Sequence, residues 1–223
     1  MNYLYLDIET IPSQRSEIKQ EIAKTIEPPG NMKKADTIAK WEIESKPELI
    51  EKKYHDTGLD GNFGEIISIA YTTNNNELID GTYRKLDEPE VALINWFNQQ
   101  LEKIAHDIIL VGHNIINFDL RFIFQRSLIN RIKPNVIIST NVNNRYNDNF
   151  VQDIMLMWGG YSREGWTSLA KMCKAFNIES SKTDEIDGSK VWDFIQAGEY
   201  RKVLDYNKRD VDRVRQLHKL MVF

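Results

Sequence analysis

A mixed-sheet α/β domain follows from three features of this chain. An aromatic and branched β-type run opens it. Strand-like and helical patterns then alternate along its length, and a short apolar run in the middle has the look of a strand buried on both faces. Its 223 residues are about one and a half times a ~150-residue domain. A single domain over residues 1–223 carrying an insertion is therefore expected, rather than two independent ones.

The elements read as follows. Tyr3–Glu9 is a strand, closed by Pro12, which lacks a backbone donor. Residues 13–62 change character: they are charged, broken at Pro28-Pro29-Gly30, and helical in pattern around Ile18–Ile26 and Thr37–Ile43. Ser45-Lys46-Pro47-Glu48 has the form of a capping box with proline in the first turn. With few large apolar residues of its own, this stretch reads as a helical insertion after the first strand. The β pattern returns at Glu65–Thr72, turns at Asn74-Asn75-Asn76 and continues as a hairpin partner over Leu78–Tyr83. From Pro89 on, Val91, Leu93, Ile94, Phe97, Leu101 and Ile104 recur at helical spacing. Ile108–Val111 is the buried strand, ending at Gly112, and Phe118–Ile129 is again helical. Val136–Ile138 reads as a short strand, and five asparagines between 141 and 149 mark a polar loop. Phe150-Val151-Gln152 precedes Asp153 as a further short strand; helices over Ser168–Phe176, Lys190–Ala197 and Tyr200–Leu220 close the chain, with Ser189 as N-cap of the second.

Composition narrows the class. At 41% hydrophobic and 28% charged residues, with 11 Gly and 6 Pro, the chain has material for a core and is neither collagenous nor low in complexity. Its 29 basic and 33 acidic residues leave a net charge of −4, so no global basic field advertises nucleic-acid binding. The single cysteine, Cys173, excludes an internal disulfide and a CxxC metal knuckle, and reads as a half-buried helix thiol. Met1-Asn2-Tyr3-Leu4 enters a strand without a basic and then apolar leader, and no run approaches the ~18 apolar residues of a membrane span. A cytoplasmic protein with no membrane association is expected.

The acids are placed rather than merely abundant. Asp7 and Glu9 lie two apart on a strand, so both project from one face, opposite Leu6 and Ile8. Alone, such a pair fits an exposed sheet edge. Asp119 follows the buried strand and the turn His113–Phe118, at the start of a helix, where open α/β sheets place ligand sites and where the helix dipole also favours a carboxylate. Tyr206 and Asp210 are four apart on the last helix and share a face bordered by Val203, Val211 and Val214. An ordinary solvated pair has the same spacing. Taken together, Asp7, Glu9, Asp119 and Asp210 carry −4, which two Mg²⁺ ions would neutralise. Hard divalent cations take oxygen ligands, and two of them about 3.5–4 Å apart can clamp an in-line displacement at phosphorus. Loss of Asp7 or Asp119 is expected to leave stability unchanged or raised, since a repelling charge is removed.

These residues match a known pattern. Asp7-Ile8-Glu9, His113–Asp119 and Tyr206-Asn207-Lys208-Arg209-Asp210 resemble the three motifs of the DEDD 3′–5′ exonucleases. Tyr206 fills the tyrosine position of that superfamily's tyrosine branch, and Asp205 stands where the other branch has histidine. More narrowly, the chain resembles bacterial and prophage exonucleases related to the proofreading domain of family B DNA polymerases. The likeness extends to Pro28–Asn31, Lys40-Trp41, Gly165–Ile178 and Ile186–Trp192. The resemblance implies a ribonuclease H-like fold: a mixed five-stranded sheet flanked by helices, with the acids converging. It implies Asp7, Glu9, Asp119 and Asp210 as ligands of two Mg²⁺ (or Mn²⁺) ions, and Tyr206 as the residue positioning the nucleophile. Asn114 and Phe118 match positions that touch the terminal nucleotides; a helix-cap region and a core aromatic are their alternative roles. The implied activity is release of nucleoside 5′-monophosphates from single-stranded DNA 3′ ends. RNA as substrate, or a noncatalytic nucleic-acid-binding accessory module, are the alternatives, and no protein partner is indicated. The long insertion after the first motif departs from the polymerase domains, and a lid or strand guide is the role it suggests. Asp153, Asp187-Gly188-Ser189, Trp158, Trp166 and the basic strip Arg121, Arg126, Arg131 and Lys133 are further candidates, each with a structural role that explains it at least as well.

Overall fold

The computed structural model describes residues 1–104, 107–143, 147–178 and 186–222. Five strands, β1 (Asn2–Ile11), β2 (Glu65–Thr73), β3 (Asp80–Tyr83), β4 (Ile108–Gly112) and β5 (Val151–Asp153), form one sheet in the order β3-β2-β1-β4-β5. The sheet is mixed: β1 and β5 run parallel to β4, with Leu4 beside Leu110 and Gly112 beside Asp153, while β2 and β3 are antiparallel. The expected five-stranded mixed sheet flanked by helices, consistent with a ribonuclease H-like exonuclease fold, is what the chain forms.

The backbone divides into two compact units, Met1–Glu9 with Ile66–Phe223, and Thr10–Glu65. The second unit contains the expected helices: α1 (Ser16–Thr25), α2 (Ala35–Glu44) and α3 (Lys46–Asp56), followed by a 3₁₀ turn over Thr57–Leu59. α3 packs on both α1 and α2. Thr57 accepts a hydrogen bond from the Ser13 amide at 3.0 Å, and the Tyr54 hydroxyl donates to the Ser13 carbonyl at 2.9 Å. The capping box does not form. Ser45 is itself helical in conformation and its side chain caps nothing, because α2 runs almost directly into α3.

In the first unit α4 (Glu90–Leu101), α5 (Asp119–Ile129) and α6 (Val136–Asn141) cover one face of the sheet. Their Phe97, Leu120, Phe122, Ile137 and Ile138 pack with Leu4, Leu6 and Ile8 of β1. After the short α7 (Ile154–Gly159), α8 (Leu169–Ala175) and α10 (Tyr200–Met221) lie on the other face, where Met172, Val211, Val214 and Leu217 meet Tyr5 and Val111. α9 (Val191–Gln196) packs against α10. Burying both faces explains why Ile108–Val111 is continuously apolar.

Local expectations fail where a polar side chain overrides an apolar pattern. Val136–Ile138 begins a helix, not a strand: Asn135 caps it by accepting from the Ile137 amide at 2.9 Å. Asp187 rather than Ser189 is the capping residue, accepting from the Ser189 amide ahead of α9. The basic strip is broken because Arg126 is buried in an ion pair with Glu90 at 2.7 Å. β3 begins at Asp80 rather than Leu78, and Cys173 is wholly buried rather than half-buried. Part of the asparagine loop, residues 144–146, lies outside the described residues. Among the described residues no helix is long and apolar enough to cross a membrane.

Candidate active site

Strand parity places the first two acids. With Leu4, Leu6 and Ile8 committed to the α4–α5 face, Asp7 and Glu9 share the α10 face with Tyr5. There they meet Asp210: one carboxylate oxygen from each of Asp7, Glu9 and Asp210 lies within 4.8 Å of the others.

Asp119 approaches from the other side of the sheet: its charge acts on Asp7 and Glu9, but it stands outside the three acids that meet within 4.8 Å. β4 ends at Gly112, and Asn114 turns the chain with a left-handed φ of 58°. Asparagine tolerates this conformation better than most side chains. The turn is clamped by Asp153, at the end of β5, which accepts from the amides of Asn114 (2.9 Å), Ile116 (3.4 Å) and Met155 (3.1 Å). Asp153 is thus the strand-end capping residue rather than a member of the acid cluster. α5 then starts at Asp119, whose Oδ1 accepts the Ile8 amide of β1 at 3.0 Å.

α10 supplies the third contribution. Its buried stripe, Val203, Leu204, Asn207, Asp210, Val211, Val214, Leu217 and His218, is apolar except at three positions. Tyr206 stands one turn before Asp210 and hydrogen-bonds to it. Arg213, one turn after, donates from Nη1 to Asp210 Oδ1 at 2.6 Å. Asn207 is fully buried: its Oδ1 accepts from Ser68 Oγ at 2.9 Å and its Nδ2 donates to Asp7 Oδ2 at 2.5 Å.

So many acids in so little water resist ionisation. Burial pushes Asp7 well above the ordinary carboxylate range, and the charges of Asp119, Glu9 and Asp210 push it further, against the hydrogen bond from Asn207. Burial and then Asp210 and Asp119 raise Glu9. Burial takes Asp119 up to about 8, opposed by the amide bonds from its own backbone and Ile8. Burial, then the charges of Glu9 and Asp210, raise the Tyr206 phenol far above its ordinary value, so it remains neutral. Hard oxygen donors, packed closely and with Arg213 on Asp210 as a cationic partner, are the donor set that Mg²⁺ or Mn²⁺ prefers, and the residues fit such ions. Asp7, Glu9 and Asp210, with Asp119 alongside, are the side chains able to hold them.

A cavity of about 290 Å³ opens beside the acids, with Asp7, Tyr206 and Asp210 in its wall together with His113, Ser168 and Arg213. His113 is more than a turn residue: its Nε2 is 2.8 Å from the Thr167 carbonyl, which ties the turn to the segment leading into α8. Asn114 and Phe118 stand apart from that wall. The Asn114 side chain accepts from Asn117, and Phe118 is half-buried against Phe122, with ring centroids 5.4 Å apart. Asp187 borders the cavity but is occupied by Ser189. Trp158 is half-exposed against Phe176, and Trp166 packs on the core. Arg213 and Asn207 went unrecognised in the sequence. The signal for Asn207 was present: it sits four residues from both Val203 and Val211, in register with the buried stripe.

Fold and cluster define the class: an α/β protein of ribonuclease H-like architecture with an acidic pocket suited to divalent ions. The chain belongs to the family of predicted 3′–5′ exonucleases related to the exonuclease domain of PolB, which it matches over residues 59–214. That span takes in Asp119, Tyr206 and Asp210, whereas Asp7 and Glu9 lie ahead of it. The chain is also similar to an uncharacterized protein of Methanocaldococcus jannaschii, MJ0365, at 29% identity over 174 residues, covering 74% of this chain and 90% of that one.

Proposed function

We propose that the protein is a Mg²⁺- or Mn²⁺-dependent 3′–5′ exonuclease of the tyrosine-bearing DEDD branch, acting on single-stranded DNA ends. The observation that carries this reading is the meeting of Asp7, Glu9 and Asp210 within 4.8 Å, reached from distant stretches of chain. Once ionised, they and Asp119 would carry four negative charges that two divalent ions would balance, and these four residues would hold them. Such ions, when bound, supply nucleophile activation and charge stabilisation at the departing oxygen. A water oxygen attacks the terminal phosphorus, the bond to the 3′ oxygen breaks, and that oxygen takes a proton. The products are a nucleoside 5′-monophosphate and a strand shortened by one residue. Tyr206, kept neutral, orients the water rather than deprotonating it. Asn114 and Phe118, which precede Asp119 but stand outside the cavity wall, would meet the terminal nucleotides as the strand runs past the turn, Phe118 by stacking with its half-exposed ring. The segment 13–62 works within the same domain, as an insertion. DNA as substrate is supported by the family's relation to a polymerase exonuclease domain, and single-stranded ends by the net charge of −4, which suits gripping a few nucleotides rather than a long duplex.

The test is degradation of 5′-labelled DNA and RNA oligonucleotides with Mn²⁺, each with a free or blocked 3′ end. Stepwise shortening of DNA from the free 3′ end is expected, abolished in Asp7→Ala and slowed about 10–100-fold in Tyr206→Phe at saturating metal. Shortening of RNA alone would move the substrate to RNA, and no shortening of either by wild-type protein would sink the nuclease reading.

A further inference from the structure

We infer that Asn207, fixed by Ser68, is a positioning residue for Asp7: it holds one carboxylate oxygen and so leaves the other for a cation. The inference rests on the acids being a metal site, as proposed above. Asn207 occupies a position of the α10 stripe where an aliphatic side chain would pack, and it is fully buried. A buried amide is costly unless its polar atoms are bonded. Here the oxygen takes Ser68 Oγ at 2.9 Å and the nitrogen gives to Asp7 Oδ2 at 2.5 Å. With Asp7 ionised, as a cation-binding carboxylate is, only one orientation of the amide works, because the reverse would set its oxygen against a carboxylate oxygen. Ser68 lies on β2, Asn207 on α10 and Asp7 on β1, so the relay joins three elements at Asp7. With Oδ2 held, Asp7 Oδ1 is presented in one direction, and the carboxylate is kept from swinging away from Glu9 and Asp210. Hydrogen-bonded supports of this kind set the orientation and basicity of metal-binding side chains.

The experiment measures Mn²⁺ binding to the full-length protein by titration calorimetry, with the metal concentration for half-maximal activity as a second readout. Asn207→Ala should weaken Mn²⁺ binding about 10–100-fold. Ser68→Ala should weaken it severalfold, and Ser68→Thr, which keeps the hydroxyl, should restore it. Activity at saturating Mn²⁺ should return most of the way to wild type in both alanine variants, which a general loss of structure would not allow. Wild-type affinity in both alanine variants overturns the inference; loss in Asn207→Ala alone overturns the part assigned to Ser68. Should Asn207→Ala not fold, the Ser68→Ala and Ser68→Thr pair decides. Asp7→Asn separates the two readings: if it also binds Mn²⁺ like wild type, the metal site itself is wrong.

Discussion

Each carboxylate of the cluster has a second occupation, and that decides what its loss does. Asp119, when ionised, carries a repelling charge but also satisfies the Ile8 amide. Loss of this acid is therefore not uniformly neutral or stabilising, as the sequence alone suggests. Asp119→Asn keeps an acceptor and removes the charge, so without metal its melting temperature should equal or exceed that of wild type. Asp119→Ala leaves a buried N–H unpaired and should cost about 1–3 kcal/mol. Both should abolish nucleolytic activity. Chemical denaturation of the two variants side by side, in chelator, separates charge from hydrogen bond; equal stability would show that the Ile8 contact contributes nothing.

At the scale of elements, α10 shows what a sequence can and cannot disclose. Alternation on β1 and the four-residue spacing of Tyr206 and Asp210 are enough to put Asp7 with Glu9 and Tyr206 with Asp210 on shared faces, because strand and helix periods follow from backbone geometry alone. The partners of Asn207 and Arg126 lie on other elements, Ser68 and Glu90, and no local pattern names them. Val136–Ile138 misled for the opposite reason, since a local cap outweighed a strand-like composition. α10 also buries His218, whose ring nitrogens meet the Tyr5 hydroxyl at 3.1 Å and Gln152 Oε1 at 2.6 Å, with the Tyr3 ring packed edge-on. Burial depresses its pKa from the usual 6.5 to about 4. The unfolded chain therefore takes up this proton first as pH falls. The stabilisation is complete above about pH 6.5 and is lost progressively down to about pH 4, amounting to about 3 kcal/mol at most. The stability difference between wild type and His218→Gln should shrink across that window; a difference independent of pH would show that His218 titrates normally.

For the molecule as a whole, a net charge of −4 limits how many phosphates it can neutralise. If only about two are engaged, KM for a single-stranded oligonucleotide should rise less than about tenfold between 50 and 200 mM salt. A much steeper dependence would point to an extended basic track instead.

α10 is fastened to β1 twice, through Asn207 to Asp7 and, three turns later, through His218 to Tyr5. A rod bolted at two points can neither roll about its axis nor slide lengthwise without shearing a bolt. The gap between the acid on the rod and those on the strand is therefore machined during folding.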